Sequence, residues 1–427
     1  MGLISDNNYF KSMPTEAADI LSKFDPKKPI LEYEPTPIFK RDSDMQAFRE
    51  KRMDIYINGK NGIPGHAYFA TWEANIKNRI TGAILKPVMR DADLYMHTKV
   101  ALSIKNNRTA GFLKGRNLGL TTLFGGVMPV YFAITKPGST SFITSKDQGT
   151  IGTLFSEKLM VCYDNLHPDI KPEIENKNQT QKNSYLKLKQ PYFNEYGELV
   201  IGVTTFDCRD TSNSDKAASS FSGSGAAYGF YDELPLNPRR EMLLNSSINC
   251  FRDPFTKKFT GFLVWGGTVE DTITNDGIVA FKKMIEKKET WDSDVTFMDC
   301  GFGMQKTSVA SAWTDWAYVN QWWNGEFDKL EKQGNSDAMR AFLKNNPRKL
   351  EHIFELAQGG FWESDVSEIC KKHYTFLEAQ PSKVATGNVR RVDTQVEWTI
   401  AKNGFCEMVE PPHDGVKYFM GVDGSAS

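Results

Sequence analysis

Short apolar runs of strand length alternate with helical periodicities through the middle of this chain, and that alternation is its strongest organising signal. Residues 109–113 (TAGFL), 199–206 (LVIGVTTF), 226–231 (AAYGFY) and 262–265 (FLVW) read as buried strands. Their continuous apolar character suits the interior of a parallel sheet covered on both faces. Upstream, a polar, proline-punctuated stretch of about 65 residues leaves room for two short helices, over 15–24 and 44–55. A more apolar region runs from 62 to 111, with an aromatic stretch at 66–72 and a helix expected over 91–105. The serine-rich segment 211–225 reads as a mobile surface loop. From 306 to 370 the pattern turns helical and tryptophan-rich, and 417–422 reads as one last strand, ending at Asp423.

The fold class this predicts is α/β, a mainly parallel sheet flanked by helices, with a smaller helical subdomain and linker. The expected divisions are an N-terminal extension over 1–65, the α/β core over 66–300, the helical subdomain and linker over 301–415, and the opening of a further domain over 416–427. With 427 residues, 40% hydrophobic, the chain carries enough apolar material for packed domains, which excludes a disordered protein. Lys and Arg number 52 against 53 Asp and Glu, so a nucleic-acid partner must be met by a local basic patch. The longest apolar run, 127–135, holds a proline and falls far short of the ~20 residues a membrane span needs, so no membrane partner is expected. Six cysteines lie far apart without a CxxC, and six histidines are equally scattered. Free thiols in a reducing, intracellular compartment are expected, with no zinc or histidine-based metal site.

Chemistry concentrates in Lys114-Gly115-Arg116-Asn117-Leu118-Gly119-Leu120-Thr121-Thr122. This segment follows an apolar strand and opens a helical pattern. A strand, a glycine-containing loop and a hydroxyl at a helix start make the layout of a phosphate-binding P-loop, whose backbone N–H groups hold phosphates while Ser or Thr binds Mg²⁺. Gly119 and Thr121 fit the usual GxxxxGK[ST], but Leu120 stands at the lysine position. Lys114 and Arg116 offer replacement charge from the front of the loop. A tight strand-to-helix turn with an ordinary capping threonine gives the same pattern. Downstream, the run 226–231 ends in Asp232 and Glu233, carboxylates suited to holding Mg²⁺ and polarising a water. A third strand opens into Gly266-Gly267-Thr268, small residues that let backbone and hydroxyl approach a terminal phosphate.

In this order, loop, acid pair and small-residue turn resemble the ATPase half of a bacteriophage large terminase subunit, the motor that packages double-stranded DNA. Some of that family carry a basic residue at the loop's start in place of the lysine before Ser/Thr, and KGRNLGLT is similar to that form. The resemblance implies phosphate contacts from Lys114 and Arg116 within a nucleotide-binding stretch 114–122. It implies Asp232 and Glu233 as the Walker B aspartate and catalytic glutamate, Mg²⁺ held by Thr121 and Asp232, and Gly266, Gly267 and Thr268 as the coupling turn. Arg90-Asp91-Ala92-Asp93 resembles an Arg-Asp stretch ahead of such loops, and 167–172 and 345–361 resemble flanking sections. The final strand resembles the opening of the family's RNase H-like nuclease, with Asp423 as its first metal-binding aspartate. The family's trans-acting arginine falls near Ser222, where this chain has none; the resemblance leaves Arg209, Arg239, Arg240 or Arg252 as substitutes, or a finger from elsewhere.

What the resemblance implies is an ATP-hydrolysing motor with ATP and Mg²⁺ as cofactors, moving double-stranded DNA into a procapsid. Its partners are then DNA, the portal protein, the small terminase subunit and further copies in a ring, with a monomer in isolation. Its place is the host cell cytoplasm, transiently at the procapsid portal. Nuclease activity is not expected from this chain, in which Asp423 is the one such carboxylate in hand; the rest of the nuclease is expected either to have been removed by truncation or to be encoded separately. A lysine-rich stretch, Lys177, Lys182, Lys187 and Lys189, offers phosphate contacts, though a solvated charged face accounts for it as well. Two rivals stand beside this reading. One is another P-loop helicase or translocase; the other is a non-catalytic nucleotide-binding assembly protein, which Leu120 favours.

Overall fold

A computed structural model describes residues 13–78, 81–115, 118–175, 185–194, 196–221, 225–268, 285–286, 291–306, 312–334, 336–355, 385–392, 395–400 and 406–408. The chain divides into two compact units, Met1–Ala357 and Gln358–Ser427. The first unit opens with helices α1 (Thr15–Leu21), α2 (Asp42–Asn58) and α3 (Gly65–Trp72), followed by a small hairpin of β1 (Ile76–Lys77) and β2 (Ile84–Leu85). Helix α4 (Asp91–Lys105) has the bounds the sequence predicts, with Asp93 closing the first turn back onto the Arg90 backbone.

Eight strands among the described residues form the main sheet: β3 (Thr109–Lys114), β4 (Thr140–Ser145), β5 (Glu173–Ile174), β6 (Tyr185–Phe193), β7 (Leu199–Asp210), β8 (Tyr228–Asp232), β9 (Phe262–Gly267) and β10 (Ser293–Met298). Their spatial order is β10-β3-β9-β8-β4-β7-β6-β5, parallel from β10 through β7 and antiparallel beyond. The predicted fold class, a mainly parallel sheet flanked by helices, is the one the chain adopts. Strands β3, β8 and β9 are buried at every position because helices cover both faces. Strands β4, β6 and β10 have no counterpart among the predicted ones, since Thr, Ser and Lys break up their apolar content.

Between β3 and β4 the chain makes a π-helical turn, Thr121–Val127, that runs into α5 (Met128–Thr135). The wider turn is held to the sheet where the Tyr228 hydroxyl donates to the Phe124 carbonyl at 2.7 Å. Helices α6 (Gln148–Leu154) and α7 (Met160–Asp164) follow β4. After β7 come the short α8 (Asp215–Ala218) and, past β8, α9 (Arg240–Ser247). The helical pattern after residue 306 appears as α10 (Trp316–Lys332), α11 (Ser336–Asn345) and α12 (Leu350–Glu355).

Three expectations change. Residues 199–206 are not buried throughout: Leu199 is 66% and Ile201 70% exposed. There β7 pairs only with β6, because β4 reaches it no earlier than Thr205, so the hairpin extends past the helix-covered sheet. The serine-rich stretch is not simply a surface loop. Ser214 caps α8, Thr211 is fully buried, and Phe221 stacks on Phe142 at 4.3 Å. Within 301–415, expected to be helix and linker, the second unit holds an antiparallel sheet of β11 (Ala385–Val392), β12 (Gln395–Ile400) and β13 (Cys406–Met408), in the order β12-β11-β13. Val396, Trp398 and Ile400 recur every second residue, a strand period that the upstream tryptophan pattern obscures. The expected strand 417–422 and Asp423 lie outside the described residues.

Behind the π-helical turn, His66 on α3 and His97 on α4 meet Nδ1 to Nδ1 at 2.6 Å, both buried, with His97 5.9 Å from the Phe124 ring. One ring donates and the other accepts, so the two cannot both be protonated. Burial drives both pKa values down, His97 to about 3. The unfolded chain takes up protons near pH 6.5 while the folded one does not, so this stability is complete above 6.5 and lost as pH falls toward 3. We predict that thermal stability drops below pH 6 by roughly 1.4 kcal/mol per pH unit for each such histidine. His97→Gln should flatten that drop; an unchanged slope would contradict the account.

Candidate nucleotide site

At the carboxyl ends of the parallel strands, register sets the site. Phe112 of β3, Gly266 of β9 and Asp232 of β8 stand in one cross-strand row, while Lys114 pairs with Met298 of β10. The ends of four strands thus place Lys114, Asp232 with Glu233, Gly267 with Thr268, and Asp299 along one edge, where open α/β sheets bind ligands.

The loop after β3 is described at Lys114–Gly115 and Leu118–Thr122; Arg116 and Asn117 lie outside the described residues. Gly119 takes φ +84°, a left-handed conformation that glycine adopts without penalty. A Cβ there would also lie 2.9 Å from Arg90 Nη2. Arg90 grips Asp93 through Nε at 2.9 Å and Nη2 at 2.7 Å, and the same Nη2 donates to the Leu118 carbonyl at 3.1 Å. The rear of the loop is therefore pinned by a guanidinium at the start of α4. Beside it a cavity of about 480 Å³ is lined by Leu85, Val88, Met89, Arg90, Gly119 and Thr122 among others, a mainly apolar space with polar edges.

Leu120 has a structural reason. Its side chain is 1% exposed, and a Cβ on Gly266 would fall 2.4 Å from its Cδ2 and 2.9 Å from the Phe112 carbonyl oxygen. Leu120 thus fills the space over Gly266, a glycine of the turn that ends β9. The sequence pattern shows Leu120 as a loss; it does not show the packing partner.

The Thr121 hydroxyl donates to Asp232 Oδ1 at 2.9 Å. Lys114, 7% exposed, is close enough to influence that carboxyl. Burial pushes Asp232 up to about 7 and the Glu233 charge adds to the rise, while Thr121 and Lys114 pull the other way. Hydroxyl and carboxylate oxygens in contact are a donor set that suits Mg²⁺. Glu233 sits at φ 50°, ψ 36°, a left-handed conformation disfavoured for a residue with a side chain. Its Oε2 accepts from the Thr268 N–H at 2.8 Å and the Thr268 hydroxyl at 3.1 Å. The acid pair and the Gly266–Gly267–Thr268 turn, 35 residues apart, are thus directly joined.

Lys114, Gly115, Leu118, Gly119, Leu120, Thr121, Thr122, Asp232, Glu233, Gly266, Gly267 and Thr268 therefore belong to one neighbourhood. The four candidate arginines are otherwise engaged: Arg209 with Asp207 at 2.6 Å, Arg239 with Asp215 at 2.7 Å, Arg240 with the Asn237 carbonyl at 3.2 Å, and Arg252 with Asp292. Ser222, Lys177 and Lys182 lie outside the described residues, and Lys189 pairs with Glu173 at 3.3 Å. No group of three or more metal-ligating His, Cys, Asp or Glu occurs among the described residues, nor any helix long and apolar enough to cross a membrane. Sequence reading missed Asp299 and its partner Arg348, because β10, which Asp299 follows, is only partly buried and has no unbroken apolar run to mark it.

No protein-family model matches this chain, and no curated protein matches it. Among solved structures, it is similar to the large terminase ATPase domain of Thermus phage P74-26, at 14% identity and TM-score 0.37 over 58% of this chain and 92% of that one. A mutant form of that same domain gives 13% and 0.36 over the same shares. The large terminase of thermophilic bacteriophage D6E in complex with ADP gives 13% and 0.30, and this chain spans 41% of its length. The fold assignment rests on strand order and register.

Asp232 carries a consequence for stability. It ionises near 3.8 when unfolded but only near 7 when folded, so in metal-free protein its contribution declines as pH rises through that window. We predict that the Tm advantage of Asp232→Asn over wild type grows from pH 5 to pH 8 and shrinks when Mg²⁺ is added. A pH-independent difference would contradict a neutral, buried carboxyl.

Proposed function

We propose that this chain is the ATP-hydrolysing motor module of a viral large terminase that drives double-stranded DNA into a procapsid. The observation that carries the ATPase reading is the contact between Thr121, at the start of the helix after the loop, and Asp232, at the end of β8, beside buried Lys114. Around it the required groups converge without rearrangement of the sheet.

In this reading, ATP lies with its phosphates along 114–122, where loop N–H groups and the start of the helical turn favour negative charge. Lys114 supplies the cation that Leu120 does not. Thr121 and Asp232 would hold Mg²⁺, which would supply positive charge against the phosphates. The apolar cavity beside Gly119 receives the base, with Arg90 fixing the loop at its mouth. Glu233 orients the attacking water, which requires its carboxylate to leave Thr268. That exchange ties the state of the terminal phosphate to the turn after β9, and so to the sheet. The DNA-moving role rests on the family resemblance of the motifs, as do DNA, portal protein, small subunit and neighbouring copies as partners. The site of action is then the host cytoplasm, at the portal.

A phosphate-release assay on the isolated chain tests the chemistry. Glu233→Gln should reduce turnover by roughly 10²-fold or more while leaving binding of a fluorescent ATP analogue within about twofold. Lys114→Ala should weaken binding and turnover together. Unchanged turnover in Glu233→Gln would remove the catalytic assignment, and unchanged binding in Lys114→Ala would remove the displaced cation.

A further inference from the structure

The front of the phosphate loop touches a part of the chain more than two hundred residues downstream. A Cβ on Gly115 would lie 3.2 Å from Cys300 Cβ, 3.4 Å from the Asn345 carbonyl oxygen and 3.4 Å from Pro347 Cδ. Asn345 ends α11 and residues 346–349 make the non-helical link to α12, and a link of this kind needs outside support to hold a fixed shape. Three attachments supply it. The Cys300 N–H donates to the Pro347 carbonyl at 2.9 Å, and the Trp323 indole donates to the Asn346 carbonyl at 2.8 Å. The third is Arg348, whose Nε donates to Asp299 Oδ2 at 2.7 Å.

This ion pair differs from the surface pairs of the chain. The Asp299 side chain is 2% exposed and that of Arg348 16%. Asp299 Oδ1 also accepts from the Gly301 N–H at 2.7 Å, so the carboxylate is held in a fixed orientation. Arg348 reaches further: Nη1 donates to Asn320 Oδ1 at 3.0 Å, and the guanidinium lies 5.8 Å from the Trp316 ring. Asp299 directly follows Met298, the strand partner of Lys114. One guanidinium thus links the end of the strand beside the phosphate loop, helix α10, and the segment that walls Gly115. A buried carboxylate stripped of its cation is costly, so the link tolerates little rearrangement.

We propose that Arg348 is a positioning residue for the phosphate loop: by binding Asp299 and Asn320 it presses 345–347 against Gly115 and fixes the Lys114–Gly115 backbone before nucleotide arrives. The proposal rests on the nucleotide-site reading above and adds to it a structural tie between that site and the helical subdomain. A loop that samples other conformations binds its ligand more weakly in proportion to the fraction competent to bind. Arg348→Ala should therefore raise the KM for ATP by about tenfold while kcat changes by less than about twofold. Arg348→Lys keeps one bond to Asp299 but cannot fork to Asn320, and should fall between.

The test uses the full chain, with ATP-analogue binding, steady-state ATPase kinetics, and amide hydrogen exchange on wild type, Arg348→Ala, Arg348→Lys and Asn320→Ala. Exchange should quicken at 114–119 in the Arg348 variants and stay as in wild type within β8. Should Arg348→Ala fail to fold, Arg348→Lys and Asn320→Ala carry the same readings with the aspartate still paired. If wild type binds nucleotide and the folded variants match it in KM and in exchange at 114–119, Arg348 has no positioning role. If wild type binds no nucleotide, the nucleotide-site reading falls, and this proposal with it.

Discussion

A hydroxyl and a carboxyl 111 residues apart in sequence, Thr121 and Asp232, lie 2.9 Å apart, and the candidate site is organised around that contact. Neither residue reaches the other by local structure. The contact exists because β9 separates β3 from β8 by one strand, with Phe112, Gly266 and Asp232 aligned in a row. A one-residue slip of β8 would turn the carboxylate to the other face of the sheet. The buried, continuous apolar runs of β3, β8 and β9 protect that register, so sheet packing and site geometry are one constraint.

The same row explains the unusual loop. Leu120 packs over Gly266, where a side chain on β9 would collide with it, and Thr268 two residues on donates to the carboxylate of Glu233, whose backbone is left-handed. Loop, acid pair and turn therefore form a closed circuit of contacts. In the proposed nucleotide site, Leu120 packs where a lysine would otherwise be expected, and Lys114, at the end of β3, is the cation that acts on Asp232. The price of this arrangement is a carboxyl whose burial pushes its ionisation up to about 7.

Much of this was legible in the sequence, for physical reasons. TAGFL, AAYGFY and FLVW announce themselves because fully buried parallel strands need unbroken apolar runs, and helix α4 because its polar cap and periodicity agree. Glycines and carboxylates directly after such runs mark the site, since strand ends are where side chains and backbone become available. Strands such as β4 and β6, with Thr, Ser and Lys among their apolar residues, hide from that rule. The β6–β7 hairpin misleads in the other direction, because apolar residues at 199 and 201 are exposed where the sheet loses its helical cover. Partnerships set by tertiary structure leave no sequence pattern at all. Leu120 against Gly266, Arg90 against Leu118, and Arg348 against Asp299 emerge only once the chain is folded.

The most direct test of the account is a crystal structure of the chain with Mg²⁺ and a non-hydrolysable ATP analogue. The account predicts the terminal phosphate within hydrogen-bonding distance of Lys114 Nζ, the metal on the Thr121 hydroxyl, and the base in the cavity beside Gly119. A nucleotide bound elsewhere, or one bound here with Lys114 turned to solvent and no other cation on the terminal phosphate, would contradict it.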